Sequence, residues 1–275
     1  TTGDITDTGA LTVAGAATLI TGATGSNIVL DSANAFASQV TLQAGNGSDT
    51  FGNITFKDSG GVKLDANADA AGDLYINAAT DGAVGGVLTV TASTGNITQG
   101  VALAVTGASS FTTSADDATI TLDTTTNAFT GAITLTTNDA SGNDAAVTID
   151  GGTTALDIAT STVDGNLTLT SGNASGITDS GTLTIGGNLS ATTDANSGVV
   201  NLGSLAVDGT VAVTTNGSGA ATLVNDAGLS FATSDVGGTL SATATTGNIT
   251  DTGALTIAGT SAFTTSADDA TITLD

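Results

Sequence analysis

Phe111-Thr112-Thr113-Ser114-Ala115-Asp116-Asp117-Ala118-Thr119-Ile120-Thr121-Leu122-Asp123 returns letter for letter at residues 263–275. A second segment makes the same point. Residues 1–15 are reproduced by residues 245–259 with two changes, Asp4 to Asn248 and Val13 to Ile257. A chain that repeats itself at this fidelity is an array, and the number of repeating units matters more than the number of domains. Inside the quoted stretch Thr119, Thr121 and Asp123 alternate with Ile120 and Leu122, which is the period of a strand with one buried face.

Composition agrees with sheet. The 275 residues carry a net charge of −24, two cations (Lys57 and Lys63), 38 Gly and no Pro, Cys, Met, Trp or His. High charge with few aromatics normally signals disorder. Here 39% of residues are hydrophobic, and β-branched Thr, Val and Ile are abundant in the chain. Pro removes a ladder donor and is excluded from central strands, so its absence suits strands paired on both sides. Gly, Thr, Val, Asn and Asp sit at the poor end of the helix scale.

Aligning on the Ile of a Gly-Asn-Ile-Thr-like element gives Ile5, Ile97, Ile177 and Ile249, at spacings of 92, 80 and 72. The register persists through Leu11, Leu103, Leu183 and Leu255 and on to Gly15, Gly107, Gly187 and Gly259. The chain therefore reads as a single continuous solenoid over residues 1–275, with super-repeats starting near 3, 95, 175 and 247, and as a window on a longer array. Dipeptides such as Asp150-Gly151, Asp164-Gly165 and Asn216-Gly217 mark the bends. They suit hairpins of an antiparallel sandwich equally well, but a sandwich does not account for the repetition. If each super-repeat holds about four coils of roughly 18–23 residues, the array has about fourteen coils and a length on the order of 65 Å. The seven Phe and Tyr75 are expected to fill corners or cover the core, with Phe36 and Phe129 closing related segments.

The recurring Gly-Asn-Ile-Thr-Asp-Thr-Gly-Ala-Leu-Thr-Ile-Ala-Gly, the Thr-Ile-Thr-Leu-Asp and the Asn-Ala-Phe-Thr-Gly-Ala-Ile-Thr-Leu resemble the repeat region of filamentous-haemagglutinin-like giant bacterial adhesins. The resemblance covers essentially the whole chain. It implies a right-handed parallel β-helix, export through an outer-membrane secretion partner and display as a fibre at the cell surface, in biofilm or host attachment.

Chemistry offers little material. Without His, Cys or Glu no nucleophile–base pair or tight zinc site can be assembled, so no enzyme is expected. Paired carboxylates at Asp116-Asp117 and Asp268-Asp269 would suit glycoside hydrolysis, but they recur with the repeat, whereas an active site is normally built once. Calcium is the cofactor to consider. Residues 45–51 match most of a calcium-binding nonapeptide and place Asp49 as a candidate ligand, but nothing after Phe51 repeats it. Asp116, Asp117, Asp268 and Asp269 are further candidates, read against the simpler solvated turn. Thr-x-Thr pairs at Thr119/Thr121, Thr134/Thr136, Thr168/Thr170 and Thr182/Thr184 invite comparison with ice-binding solenoids. Their spacings of 15, 34 and 14 define no face at one-coil intervals, so they are read as outward strand positions. Sequons at Asn53, Asn96, Asn166, Asn188 and Asn248 also read as turns before strands. The charge excludes nucleic acid as a partner, and no apolar run reaches the ~18 residues of a membrane span.

The function expected is a structural spacer of a secreted surface adhesin, with its ligands, host glycans or proteins, held by other regions. A self-assembling extracellular filament of stacked copies is the alternative.

Overall fold

The computed structural model describes residues 3–45, 52–64, 73–76, 83–138, 140, 142 and 144–275. Among these there is no helix, and the strands pair in parallel as a β-solenoid of about 11 turns. Two 15-stranded sheets face each other, and a 3-stranded sheet pairs Ala83–Val84, Ala104–Val105 and Ala128–Phe129. The first sheet begins with Ile5–Thr6 and Ile28–Phe36, the second with Ala17–Ile20 and Val40–Gln43.

Alternation works as the residues dictate. Ile120 and Leu122 are fully buried while Thr119 and Thr121 are half-exposed, and the same pattern repeats in Leu88–Ala92, Leu167–Ser171 and Ala221–Asn225. The inward residues merge into one core cluster running from Ile28 to Ile249. A coil cannot bury this face alone, because its aliphatics need the coils above and below as packing partners.

Most coils have the expected length, and a few are longer. In-register neighbours such as Ala221 and Leu240 are 19 residues apart, Ser109 and Ile133 are 24, and Ile28 and Ile54 are 26. Ile54 and Leu88 are 34 apart, and the segment between them contributes Asp73–Ile76, which slots into the second sheet between Val40–Gln43 and Val62–Leu64. The expected 18–23 residues hold for most coils, but the long ones reduce the expected fourteen coils to about 11.

Aromatic placement also needs correcting in part. Phe56, Phe111 and Phe231 are inward strand residues rather than corner fillers. Phe111 meets Phe129 edge-on across the core at 6.3 Å, and Phe36 stacks on Phe56 at 5.5 Å. Tyr75 lies in Asp73–Ile76, whose side chains are outside the described residues, as is Phe51.

Each half-turn takes one of two forms. One is a single strand of four to six residues, as in Leu88–Ala92 and Thr210–Thr215. The other is split into two short stretches with a bend between them, as in Ile97–Gln99 followed by Ala104–Val105, or bends within one strand, as in Val200–Val207. From Ile54 to Thr136 the single strands lie in the first sheet. From Val147 to Thr215 they lie in the second, and from Ala221 to Thr265 in the first again.

A super-repeat is therefore seven half-turns, or three and a half coils, not four. An odd number of half-turns returns the chain to the opposite sheet. Ile5 and Ile177 accordingly lie in the first sheet, whereas their sequence equivalents Ile97 and Ile249 lie in the second. The duplicated stretches at 111–123 and 263–275 are two super-repeats apart, so both begin in the first sheet.

Candidate functional site

Three sets of polar side chains recur with the super-repeat, and each ties one coil to the next. The first follows the aligned Ile. Two residues after it stand Asp7, Gln99, Asp179 and Asp251. Asp7 accepts the N–H groups of Asp31 and Ser32, both at 3.3 Å, and Asp179 accepts those of Gly203 at 3.0 Å and Ser204 at 2.6 Å. Gln99 accepts from Thr124 N at 3.3 Å and Asp251 from Asp275 N at 3.1 Å. The residue before the Ile does likewise in three of the four copies. Asp4, Asn96 and Asn248 accept the N–H of Asn27, Thr119 and Thr271, each near 2.8 Å. In the remaining copy Gly176 takes this place at φ +66°, and a Cβ there would lie 1.8 Å from the Val199 carbonyl oxygen.

A second set sits inside the split half-turns. Asn127 is 1% exposed. Its Oδ1 accepts from Leu103 N and Gln99 Nε2, both at 2.8 Å, and its Nδ2 donates to Gln99 Oε1, Leu122 O and Asp150 O at 3.0 to 3.2 Å. Asn34 plays the same part by accepting from Leu11 N and donating to Asp7, both at 2.8 Å. A buried amide that satisfies all these groups fixes the bend that splits the strand.

The third set marks the seams where single and split forms exchange sheets. Where a split strand stacks on a single one it carries an extra residue: Ile133 and Thr136 pair with Ile158 and Thr162. This is a bulge, which leaves a ladder donor without its carbonyl. Ser161 Oγ accepts that donor, Leu135 N, at 3.0 Å, and Ser234 Oγ accepts Val213 N at 3.1 Å at the equivalent seam. In the reverse exchange the acceptors are Asp58 Oδ1 for Phe36 N at 3.2 Å and Asn225 Oδ1 for Val207 N at 2.9 Å.

Asp116-Asp117 and Asp268-Asp269 occupy exposed corner turns, with Asp117 and Asp269 both at φ 60°. Asp tolerates this left-handed conformation better than most residues. Asp116 accepts the N–H of Ala140. In the first copy the buried Thr before the turn closes it, Thr113 Oγ1 donating to Ala118 O at 3.1 Å. The two acidic pairs lie seven coils apart, about 34 Å along the axis. Asp49 lies outside the described residues. Among the described residues no three acidic side chains converge as a metal site would require.

The sequon asparagines keep their side-chain oxygens occupied. Asn166 and Asn188 accept from Asn188 N and Thr210 N on successive rungs of the second sheet, and Asn53 accepts from Val87 N on the first.

Asp7 and Asp150 titrate away from their ordinary value of 3.8. Burial acts to raise Asp7, but the bonds from Asn34, Ser32 and Asp31 outweigh it and lower its pKa. Asp150 is raised, chiefly by burial and also by Asp194 and Asp123 nearby, against the lowering effect of its bond from Gly152 N.

Grooves lie beside the seams. One of about 380 Å³ is bordered by Val207, Leu229 and Asn248, and another of about 240 Å³ by Val13, Phe36 and Asp58. No described helix is long and apolar enough to cross a membrane.

The Ile register is plain in the sequence, and its clamps are less so. The signal was present, since the position two after each aligned Ile is Asp or Gln in every copy. The seam acceptors had no comparable mark.

A family model described as repeats of unknown function (DUF5649) matches residues 1–43, 51–136, 142–197 and 218–275. No curated protein and no solved structure matches the chain significantly.

Proposed function

The chain belongs to the family of repeats of unknown function (DUF5649), and for this member we propose a mechanical role, as the stiff spacer of a secreted bacterial surface adhesin. The proposal includes cell-surface location, export through an outer-membrane partner and membership of the filamentous-haemagglutinin-like group, all of which rest on the resemblance of the repeats. It is non-enzymatic.

The observation that carries it is the continuity of axial fastening. Every super-repeat places its Asp or Gln clamp on the following coil, from Asp7 on Asp31 to Asp251 on Asp275. Load along the rod would be shared by inter-coil bonds of one kind, backed by a core that runs through the stack. Carboxylates that serve as clamps and corner turns keep the outer surface acidic, which favours solubility.

Electron microscopy with solution scattering tests this reading. Separate rods about 50 Å long, at ~4.8 Å per turn, agree with a spacer. Unaided growth into micrometre-long fibres would sink it and leave the self-assembling filament, which the near-identity of residues 1–15 and 245–259 would then explain.

A further inference from the structure

Stacking restores a pattern that spacing in the sequence hides. On the first sheet the outward positions of four consecutive single strands are Thr55/Lys57, Thr89/Thr91, Ser110/Thr112 and Thr134/Thr136, and they stand in strict register. The next super-repeat carries the motif to the second sheet. There Thr148/Asp150, Thr168/Thr170, Ser190/Thr192 and Ala212/Thr214 form a second two-column array. A sparser third array returns to the first sheet at Thr222/Val224, Ser241/Thr243 and Ala262/Thr264. Thr119/Thr121, Thr134/Thr136, Thr168/Thr170 and Thr182/Thr184 are outward as expected and divide between the two sheets; one-coil arrays emerge only when rungs with Ser, Ala, Lys or Asp in place of Thr are included.

Two properties set these arrays apart. Asp150 and Lys57 are the only charged residues in them, although the chain as a whole carries a net charge of −24. Their hydroxyls are also free, since Thr55, Thr89, Thr91, Ser110, Thr112, Thr134 and Thr136 make no side-chain bond within the described protein. The inward threonines behave differently: Thr113, Thr193 and Thr215 all donate across their turns, to Ala118, Gly198 and Gly219.

We infer that these arrays bind ordered water, and that their ligand is the surface of an ice crystal. Rungs repeat at about 4.8 Å and alternate residues along a strand at about 6.6 Å, so hydroxyls and methyls form a rigid rectangular mesh. β-Branched Thr has restricted χ1, which keeps the mesh regular. Hydroxyls supply donors and acceptors to water at each node, while the methyls between them discourage disordered solvent. Few ligands other than a crystalline solid offer a matching rigid two-dimensional array. Because the arrays alternate between sheets, the rod presents this surface on both sides. The inference stands apart from any role in adhesion.

The test uses the whole chain in ice-crystal shaping and thermal-hysteresis measurements, beside two triple variants. Thr112→Lys/Thr170→Lys/Thr243→Lys puts a charge in each array. Thr98→Lys/Thr184→Lys/Thr256→Lys puts the same charges on split half-turns. The expected result is faceted crystals with the parent chain and the second variant and loss of faceting with the first, at equal melting temperatures. Unshaped crystals with the parent chain, or equal loss in both variants, would overturn the inference. If the first variant unfolds, Thr112→Ser/Thr170→Ser/Thr243→Ser keeps the hydroxyls and should reduce hysteresis by removing methyls alone.

Discussion

Ser161 Oγ accepts the backbone N–H of Leu135 at 3.0 Å and donates its own O–H to Ala159 O at 2.8 Å. One hydroxyl thereby joins a four-residue strand to a split strand that carries an extra residue, and Ser234 repeats the arrangement for Val213. Ser161→Ala leaves a buried N–H orphaned and should cost about 1–3 kcal/mol. Denaturant unfolding measures the loss, and Ser161→Thr, which keeps the acceptor, should recover part of it.

Asn127 is the most heavily bonded buried side chain of the split half-turns, with five bonds to Leu103, Gln99, Leu122 and Asp150. Asn127→Leu removes all of them in a space sized for an amide. A loss of about 3 kcal/mol or more is expected. Hydrogen exchange should localise it to Ala104–Val105 and Ala128–Phe129, and a uniform change along the rod would contradict the assigned role.

Ser109 is the opposite case. It occupies an inward position between Leu88 and Ile133, is 2% exposed, and its hydroxyl has no partner. Ser109→Ala removes an unsatisfied group from the core and should stabilise the protein by about 1 kcal/mol. A lower melting temperature would show that the hydroxyl is satisfied in solution.

The two shifted carboxylates give opposite pH signatures. Asp7 has a lowered folded pKa, so its contribution is present above the ordinary carboxylate value of 3.8 and is lost as pH falls through the lowered one. Asp150 has a raised folded pKa, so the fold favours its neutral form. Its contribution is present below 3.8 and disappears as pH rises through the raised value, leaving a penalty at neutrality. Asp150→Asn keeps the Oδ1 acceptor for Gly152 N. It should raise the melting temperature at pH 7, and the gain should vanish in acid. Asp7→Asn should lower it at pH 7 and matter least in acid.

Equivalence of the super-repeats predicts that one can be excised. Deleting residues 97–176 joins Asn96 to Ile177 and restores the Gly-Asn-Ile-Thr-Asp element. Three and a half coils go, so the rod should remain cooperative and shorten by about 17 Å at ~4.8 Å per coil. Everything downstream should exchange sheets. Scattering reads the length, and a collapsed or aggregated product would count against half-turn equivalence.

Much of this is legible in the amino-acid sequence. The repeat at Phe111 and Phe263 pointed to a solenoid, and alternation placed Ile120 and Leu122 inside with Thr119 and Thr121 outside, as found. The turn reading of Asp116-Asp117 and Asp268-Asp269 also agrees with their positive φ at Asp117 and Asp269. The number of coils is not legible in the sequence, because corner segments such as the one after Thr113 have no fixed length. Clamps were missed for a different reason: Asp7 and Asp31 are 24 positions apart, and a side-chain acceptor leaves no mark on the residue whose N–H it receives.

The amino-acid sequence alone determined that strands form, which residue of each faces inward, and that units recur, because all three depend on period-2 alternation and on identity along the chain. Tertiary structure alone decided which sheet each strand joins. Inward aliphatics look the same on both sheets, so no local signal distinguishes Ile97 from Ile177. Only the count of half-turns, fixed by inter-coil register and by the seam acceptors Asp58, Ser161, Asn225 and Ser234, puts the two on opposite sides of the rod.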